Sequence, residues 1–332
     1  MKLIEPKFEI LEQAPGMDGL LKQIELCGRT CYKSHDKTAE DSAGKFVERM
    51  KSLGHGSVLE HGTVYLAMPM ESVLPISANM WYRYVGNKYS KGGIVCEVNG
   101  DKRVASATNY RVLLQGDYKT WDEAVKNNFD RNWLSDLQYQ CEPTEFHEKR
   151  ITVRFTTDIG ISREFNRHRV NSPSEQSTRY CNYSKDKFGG EISVVSPIRA
   201  REQAEKTLRD CRKHYGDDLK TLAALCYDVS RLAEEGEYDG SKEAFTDIDT
   251  WLFANLATQW SYMRLAYIFG WPAEDARSVL PLDTATELVH TAFVKDWENF
   301  FKLRCDCHAH PMARELAIPL REEFVKRGLI KE

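Results

Sequence analysis

The spacing of apolar residues predicts a strand, two helices and a second strand in the N-terminal part of the chain. Residues 7–13, KFEILEQ, alternate between polar and apolar positions, as a half-buried strand does. Residues 19–32, GLLKQIELCGRTCY, and 40–54, EDSAGKFVERMKSLG, are helical in pattern. Ser57 then opens 57–70, SVLEHGTVYLAMPM. Within this segment, His61 leads into alternating apolar residues, which are typical of a strand. A helix-to-strand junction is therefore expected near His61.

A further strand followed by a short helix is predicted in the middle of the chain. β-branched residues alternate in 149–158, KRITVRFTTD, and 160–169, GISREFNRHR, has apolar residues one helical turn apart. Pro173 disfavours a helical conformation at the residue before it, so 169–177 is expected to be an irregular connection. Its backbone amides and side chains would be free to face a ligand.

Long helices are predicted in the C-terminal half. Residues 201–235 and 242–269 carry helical patterns, and the second pattern ends at FGWP, where glycine and proline act as stop signals. A last helix is predicted from residue 284 onward, in TATELVHTAFVKDWENFFKLRCDCHAH. Residues 88–146 are instead polar and rich in turn signals, apart from the helical patch DYKTWDEAVKNNF. This stretch is typical of an insertion.

The composition predicts a soluble globular protein. Of 332 residues, 42% are hydrophobic and 29% are charged, which favours one enlarged domain over residues 1–332 with a substantial core. No stretch approaches the roughly 18 apolar residues of a membrane span, and the start MKLIEPKFEI lacks the apolar stretch of a signal peptide. We therefore expect a cytoplasmic protein with no membrane partner, whose nine cysteines are reduced thiols.

Four arginines lie in residues 163–180, REFNRHRVNSPSEQSTRY, although the formal net charge of the chain is −4. A broad surface for duplex nucleic acid needs many cations spread over one face, so the cluster favours a local anion pocket. Planar guanidinium groups match phosphate geometry, and nearby hydroxyls add neutral donors. The candidate ligand is therefore a phosphorylated small molecule. On composition alone, a solvated turn whose arginines pair with Glu164 and Glu175 is an equal alternative.

Four short motifs follow one another along the chain. Arg167-His168-Arg169, seven residues and then Ser177 form an RHR-x7-S pattern, which continues as STRY through Tyr180. The other three are HGSVLEH at 55–61, EDARSVLP at 274–281 and NFFKLRCDCHAH at 299–310. In type and order these motifs resemble those of the flavin-dependent thymidylate synthases: RHR-x7-S, H-x-[ST]-x-x-E-H, E-x-A-R-x-x-L-P and N-x-x-x-x-R-x-x-x-H. The chain is thereby identified as a member of that family.

The resemblance implies a methyltransferase that converts dUMP to dTMP. In this family methylenetetrahydrofolate is the one-carbon donor, and NADPH is the reductant acting through FAD. The implied fold is α+β, an antiparallel sheet flanked by helices, assembled as a homotetramer with shared active sites and without a nucleic-acid partner. Two long insertions, at about 86–146 and 185–240, would make this chain larger than typical members.

The resemblance also implies individual roles. Arg304 is the residue implied to stabilise negative charge on the uracil ring. Contacts with dUMP are implied for Glu164, Arg167, Glu175, Ser177, Arg179, Arg277 and Arg304. Contacts with FAD are implied for His55, Ser57, Glu60, Arg167, His168, Arg169, Glu175, Lys295, Asn299 and His308. Three positions depart from the family pattern: Glu164 stands where many members carry Gln, and Phe293 and Lys295 stand where Asn and Arg often face the flavin.

Other functions stay open on the residues alone. The arginine cluster with Tyr180 and Tyr183 could bind single-stranded nucleic acid by stacking. Ser177 could be a nucleophile, although no pattern shows a base placed to activate it. A metal near residues 305–310, CDCHAH, would make the chain a phosphohydrolase, but this is not a standard zinc spacing. We therefore expect no metal.

Overall fold

A computed structural model describes residues 1–70, 83–85, 87–98, 100–215 and 246–332. The end of the predicted helix 201–235 and of the predicted insertion 185–240 lies outside the described residues. The strands are β1 Lys2–Leu3, β2 Lys7–Leu11, β3 Thr63–Pro69, β4 Lys91–Val98, β5 Asp101–Asn109, β6 Arg150–Asp158, β7 Ser172–Glu175, β8 Ser193–Val194 and β9 Ala285–Phe293.

Helices flank these strands. The α-helices are α1 Gly16–Tyr32, α2 Ser42–Ser52, α3 Gly56–Leu59, α4 Tyr110–Gln115, α5 Trp121–Lys126, α6 Ile159–Phe165, α7 Arg201–Tyr215, α8 Asp247–Met263, α9 Ala273–Ala276, α10 Val294–Arg304 and α11 Pro311–Lys326. Short 3-10 turns cover His35–Lys37, Leu134–Tyr139, Asp186–Phe188, Ile198–Ala200 and Arg277–Val279, and Arg264–Ile268 forms a π-helical turn.

The strands form two antiparallel sheets and one parallel pair. The four-stranded sheet has the order β2-β6-β9-β7, and the three-stranded sheet has the order β3-β5-β4. Strands β1 and β8 pair in parallel. The α+β class predicted from sequence is confirmed, but the expectation of one antiparallel sheet is wrong. The second sheet arises because β5, in the stretch predicted to be inserted, pairs along the whole of β3.

Two hydrophobic cores correspond to the two antiparallel sheets. Behind the four-stranded sheet, Phe155 of β6 packs with aromatic residues of α10 and α11, among them Trp297, Phe300 and Phe324. Behind the three-stranded sheet, residues of α1, α3, β3 and α4 are buried together with Trp121 of α5. The stretch from about 86 to 146 is therefore built into a core, whether or not it is an insertion relative to other members.

Local sequence signals explain where several elements begin. The Asp158 carboxylate accepts a hydrogen bond from the backbone amide of Ile161 (2.8 Å), which caps α6 directly after strand β6. Thr246 and Asp249 form a reciprocal capping box at the start of α8. Pro311 occupies the first turn of α11, where its missing N–H is not needed. The caps of α6 and α8 lie close to predicted helix starts, whereas the start of α11 at Pro311 was not predicted.

The last predicted helix is wrong over its first part. Residues Ala285–Phe293 form strand β9, and only Val294–Arg304 is helical before α11 begins. Strand β9 lies inside its sheet, and eight of its nine residues are buried, all except Glu287. Because both faces of the strand are covered, the polar–apolar alternation that marks a half-buried strand is missing.

The predicted irregular connection 169–177 is also wrong in part. Ser172–Glu175 forms strand β7, which pairs with β9. Pro173 is tolerated there because β7 lies at the edge of the sheet, where a missing backbone donor breaks no ladder. The pairing places Ser174 and Glu175 at fixed positions on the sheet, with the loop to Ser177 beyond its end.

Candidate functional site

Two cavities lie side by side at the end of strand β7. The first, of about 450 Å³, is lined by aromatic rings, hydroxyls and two arginines, among them Tyr32, His55, Ser57, Arg111, Ser177 and Arg179. The second, of about 620 Å³, includes Arg163, Thr178 and Arg277. Glu175 and Ser177 line both cavities. The end of the RHR-x7-S motif, at Glu175 and Ser177, thus forms the wall between two spaces of a size typical of small-molecule sites.

Backbone hydrogen bonds fix the loop that carries Ser177. The amide of Gln176 donates to the Glu287 carbonyl of β9 (2.8 Å), and the amide of Ser177 donates to the Cys31 carbonyl at the end of α1 (2.9 Å). The Ser177 hydroxyl accepts from the Arg179 amide (3.3 Å). Sheet and helix α1 together therefore position this hydroxyl, and no histidine or carboxylate of the described chain is hydrogen-bonded to it.

The Glu175 carboxylate accepts three hydrogen bonds. Its Oε1 accepts from the Ser162 hydroxyl (2.7 Å) and the Thr286 hydroxyl (3.3 Å), and its Oε2 accepts from the Asn166 amide nitrogen (2.9 Å). The donors come from α6, its following turn and β9. Because three neutral donors fix the carboxylate, it presents a negative charge of defined direction to both cavities.

A chain of buried hydrogen bonds from Asn171 through His290 to Asn166 orients one of the donors to Glu175. The amide nitrogen of Asn171 lies 3.1 Å from His290 Nδ1, and His290 Nε2 lies 3.2 Å from Asn166 Oδ1. Burial, and secondarily the charge of His168, lowers the pKa of His290 to about 3. His290 is therefore neutral, with Nδ1 accepting and Nε2–H donating. This tautomer orients the Asn166 amide so that its nitrogen faces Glu175.

A second buried histidine ties the HGSVLEH motif to the sheet. His61 Nδ1 lies 2.8 Å from the Thr291 hydroxyl of β9, and its Nε2 lies 2.8 Å from the Ser174 hydroxyl of β7. Burial, followed by the charge of Arg150, lowers the pKa of His61 to about 3. A neutral ring that donates at one nitrogen and accepts at the other satisfies both hydroxyls, so the two predicted motifs are joined in the interior.

Arg150 lies beneath the same region with no carboxylate bonded to it among the described residues. Its Nη1 donates to the Glu60 carbonyl (3.1 Å) and to the Thr63 hydroxyl (3.3 Å). Burial lowers its pKa to about 10, although nearby acidic groups act in the opposite direction. The guanidinium still remains charged at neutral pH, and it contacts the ring of Phe293 with its carbon 5.5 Å from the ring centroid. Phe293 is thus buried against Arg150 rather than facing either cavity.

His55 and Tyr32 form one wall of the first cavity. The rings are nearly parallel, with an interplanar angle of 13°, and His55 Nδ1 lies 2.6 Å from the Tyr32 hydroxyl. Burial raises the pKa of Tyr32 to about 12, so the phenol keeps its proton and donates it to His55. The other ring nitrogen of His55, Nε2, takes no part in this hydrogen bond.

The sequence did not reveal two further residues of this cavity, Arg111 and Trp121. The Arg111 Nη1 group donates to Oε1 of Glu60, and its guanidinium carbon lies 5.3 Å from the Trp121 ring centroid. The Trp121 Nε1–H donates to the Gly54 carbonyl (2.8 Å). Both residues belong to the polar stretch 88–146, where no motif marks them. The sequence signal that could have found Arg111 was a lone arginine beside the apolar start of a helix.

Arg304 lies in a separate cluster with Glu164 and His168. Its Nη1 donates to the Glu164 carboxylate (2.8 Å), its Nη2 to the Glu164 carbonyl (2.6 Å) and its Nε to His168 Nε2 (3.1 Å). Burial, and then the charge of Arg304, lowers the pKa of His168 to about 4. Arg304 is thus fixed at the end of α10 by a neutral His168, which accepts at Nε2, and by Glu164. Glu164 accepts through both its carboxylate and its backbone carbonyl.

Comparison with known proteins settles the family. The family model "Thymidylate synthase complementing protein" matches residues 96–327, which is more than half of the chain. The chain belongs to the thymidylate synthase complementing protein family. The family match begins inside the stretch predicted to be an insertion and includes three of the four motifs.

Curated relatives carry the name "Flavin-dependent thymidylate synthase". The Thermosipho africanus protein is 24% identical over 198 residues, 60% of this chain and 73% of that protein. The Thermosipho melanesiensis protein is 26% identical over 200 residues, 60% and 72% respectively. The Synechocystis protein is 29% identical over 105 residues, 30% of this chain, and the match spans about half, 49%, of that relative.

Within this member of the family, the predicted site residues fall into two groups. His55, Ser57, Glu175, Ser177 and Arg179 line the first cavity, and Arg277 lines the second, where its Nη1 donates to the Thr178 hydroxyl (3.2 Å). The remaining predicted residues line neither cavity. They are Glu60, Glu164, Arg167, His168, Arg169, Lys295, Asn299, Arg304 and His308.

Most of the second group is exposed. Arg167, Arg169, Lys295 and Asn299 are exposed, and within the described chain no side-chain hydrogen bond or ion pair fixes them. The His308 side chain is 91% exposed and lies 2.8 Å from the Asp306 carboxylate. In a single copy, the exposed members of the second group therefore lie outside both cavities, whereas Glu60 reaches the first cavity through its pair with Arg111.

The alternative functions receive little support. Tyr183 is buried and accepts a hydrogen bond from Gln176, so it is not available for stacking on a base. Among the described residues, Asp306, Cys307 and His308 lie close enough to share an ion, but all three are exposed, and His310 instead caps α11. In the described part of the chain, the cysteines and histidines of 305–310 are thus not gathered around one point. No helix in the described ranges is both long and apolar enough to cross a membrane.

Proposed function

We propose that this chain converts dUMP to dTMP, with methylenetetrahydrofolate as one-carbon donor and NADPH as reductant acting through FAD. The observation that carries the proposal is the first cavity, where the HGSVLEH and RHR-x7-S motifs contribute to one space. Glu175 and Ser177 connect it to a second cavity with further cations. The flavin-dependent thymidylate synthases among its relatives support the same activity.

The first cavity has side chains that fit a flavin ring system. Tyr32, His55 and Trp121 offer flat apolar faces, while Ser57 and Arg179 offer hydrogen-bond donors. Aromatic walls with a few polar groups are the usual lining of cofactor sites. When bound, the flavin would carry the two electrons from NADPH that turn the transferred methylene carbon into a methyl group.

The second cavity is the proposed dUMP site. Arg277 and the neighbouring Arg163 would bind the phosphate, with Arg179 at the shared wall. The Ser177 hydroxyl would donate or accept a hydrogen bond with the sugar or base, and the Glu175 carboxylate would accept hydrogen bonds from them. Because Glu175 is already fixed by three donors, it would orient the nucleotide without moving.

Arg304 would stabilise the negative charge that develops on the uracil ring when C5 acts as nucleophile. In one copy, Arg304 is instead bonded to Glu164 and His168, away from both cavities. We therefore propose a homotetramer in which a neighbouring copy supplies Arg304, together with the exposed Arg167, Asn299 and His308, to the cavities of the first. Folate would then bind at the same shared site.

The test is the visible absorption spectrum of the purified protein after incubation with FAD and removal of the excess. Flavin bands that bleach on anaerobic addition of NADPH with dUMP are expected, followed by dTMP formation once methylenetetrahydrofolate is added. An Arg277→Gln variant should keep the flavin bands but lose dUMP affinity. A colourless protein that retains no FAD at all would contradict the proposal.

A further inference from the structure

Residues 110–126, which we call the brace, contact residues 54–60 at three points. This segment includes all of the HGSVLEH motif except His61. The Trp121 Nε1–H donates to the Gly54 carbonyl (2.8 Å), and Arg111 pairs with the Glu60 carboxylate. Between these points, a Cβ atom placed on Gly56 would lie 2.6 Å from the Trp121 ring, so the backbone touches that ring directly. The brace therefore holds residues 54–60 at the start, in the middle and at the end.

The Arg111–Glu60 pair is the charged one of these three contacts. The two side chains are 19% and 6% exposed, so both charges are largely removed from water. The Arg111 guanidinium carbon also lies 5.4 Å from the Tyr89 ring centroid and 5.3 Å from that of Trp121. Among the described residues, Arg111 supplies the hydrogen bond to the Glu60 carboxylate. Removing it would leave a buried, unpaired charge, which is strongly unfavourable.

The cavity lies on the other side of the same contacts. Arg111 and Trp121 line it together with His55 and Ser57, so the brace forms a wall of the space as well as a support for the motif. The brace lies in the stretch predicted to be an insertion, and this placement gives the stretch a role at the site.

We propose that Arg111 is a positioning residue for flavin binding, which acts by holding the Glu60 carboxylate and with it the 54–60 segment. This inference rests on the proposed function, since the flavin is its ligand. It assigns the brace to the active site, although none of the four motifs includes it. Arg111 acts through Glu60, so its effect on flavin affinity should disappear when Glu60 can no longer pair.

The experiment is a double-mutant cycle of Arg111→Gln and Glu60→Gln, with FAD affinity of the whole protein measured by calorimetric titration. Each single variant should bind FAD at least about tenfold more weakly than the unchanged protein. In the Glu60→Gln background, adding Arg111→Gln should change the affinity by less than about twofold. Arg111→Lys, which keeps the charge, should recover most of the lost affinity.

The matched control is Arg131→Gln, which removes an exposed arginine whose guanidinium carbon lies 5.2 Å from the Tyr118 ring centroid, away from the cavity. It should leave FAD affinity unchanged. If Arg111→Gln fails to fold, the double variant still tests the inference, because neither charge is then left unpaired. The inference would be overturned if Arg111→Gln lowered FAD affinity equally in the unchanged protein and in the Glu60→Gln background. It would also be overturned if Arg111→Gln left FAD affinity unchanged. Absence of FAD binding in the unchanged protein would instead overturn the proposed function.

Discussion

At the scale of single residues, the contacts of Ser177 favour binding over nucleophilic attack. Its hydroxyl is held beside the Arg179 amide, and no described base is hydrogen-bonded to it. We expect Ser177→Ala to keep its flavin and a substantial turnover number. Its KM for dUMP should rise about three- to tenfold, because one neutral hydrogen bond is lost. Steady-state kinetics with varied dUMP would measure this.

Ser52→Ala, which removes an exposed hydroxyl bonded to the Arg49 carbonyl, is the control and should behave like the unchanged protein. Complete loss of turnover in Ser177→Ala with normal dUMP affinity would restore the nucleophile hypothesis.

The sequence predicted some of the site residues but not the contacts among them. From the motifs, His55 and Ser57 were expected to contact FAD, and Ser177 and Arg179 to contact dUMP; all four line one cavity. Arg111 was not expected, because its partner Glu60 lies 51 positions earlier and neither residue alone marks the pair. Motif spacing records which residues contact a ligand, whereas the Arg111–Glu60 pair depends on the long-range pairing of β3 with β5, which places Asn109 opposite Thr63.

At the scale of elements, burial explains both the correct and the wrong predictions. Strand β6 was predicted because its residues alternate between buried and half-buried positions over much of its length. Strand β9 was not, because it lies between β6 and β7 with both faces covered, and a run of apolar and β-branched residues fits a buried helix as well. Long-range pairing, which the local pattern does not record, decided its conformation.

Packing of helix α3 against α5 gives a second prediction. Gly56→Ala would place a methyl group 2.6 Å from the buried Trp121 ring, so it should lower the free energy of unfolding by about 1–3 kcal/mol. Gly44→Ala is the matched control, since a Cβ there meets nothing within 4 Å and alanine favours the interior of helix α2. It should stabilise the protein by about 0.5–1 kcal/mol. Urea unfolding would measure both, and equal effects of the two substitutions would contradict this account.

The buried histidine between β7 and β9 makes stability depend on pH. His61 has a pKa of about 3 in the folded protein, below its value near 6.5 when unfolded, so the unfolded chain binds more protons between these pH values. Stability is therefore unaffected above about pH 6.5 and is lost as the pH falls toward 3. Burial is the main cause of the shift.

We expect His61→Gln, which cannot titrate, to reduce the difference in unfolding free energy between pH 7 and pH 5 by about 1–2 kcal/mol. Urea unfolding at the two pH values would measure it. The unchanged protein, measured at the same two pH values, is the reference. If His61→Gln kept the full pH dependence, the histidine would not be held neutral by burial.

At the scale of the whole molecule, the two groups of predicted site residues determine what one copy can do. One group, which includes Arg179, lines the cavities, and the other, which includes Arg304 and Asn299, lies outside them. The four motifs and the expectation of shared sites came from sequence, but the proposed assignment of each group to a different copy did not, since motif order says nothing about which surfaces meet. A closed homotetramer would bring both groups together at each interface.

This division predicts complementation between two inactive variants. Arg179→Gln and Arg304→Gln should each be nearly inactive alone, since each removes one group from every site. If the groups come from neighbouring copies, random mixing of the two chains by co-expression rebuilds about a quarter of the sites with both arginines. Thymidylate formation by the mixed oligomers, compared with each variant alone and with Arg131→Gln mixed with the unchanged chain, measures this. Mixed oligomers no more active than the single variants would mean that each site belongs to one chain. Recovery of about a quarter would instead mean that a monomer lacks a complete site, so dilution to monomers should abolish flavin binding and activity together.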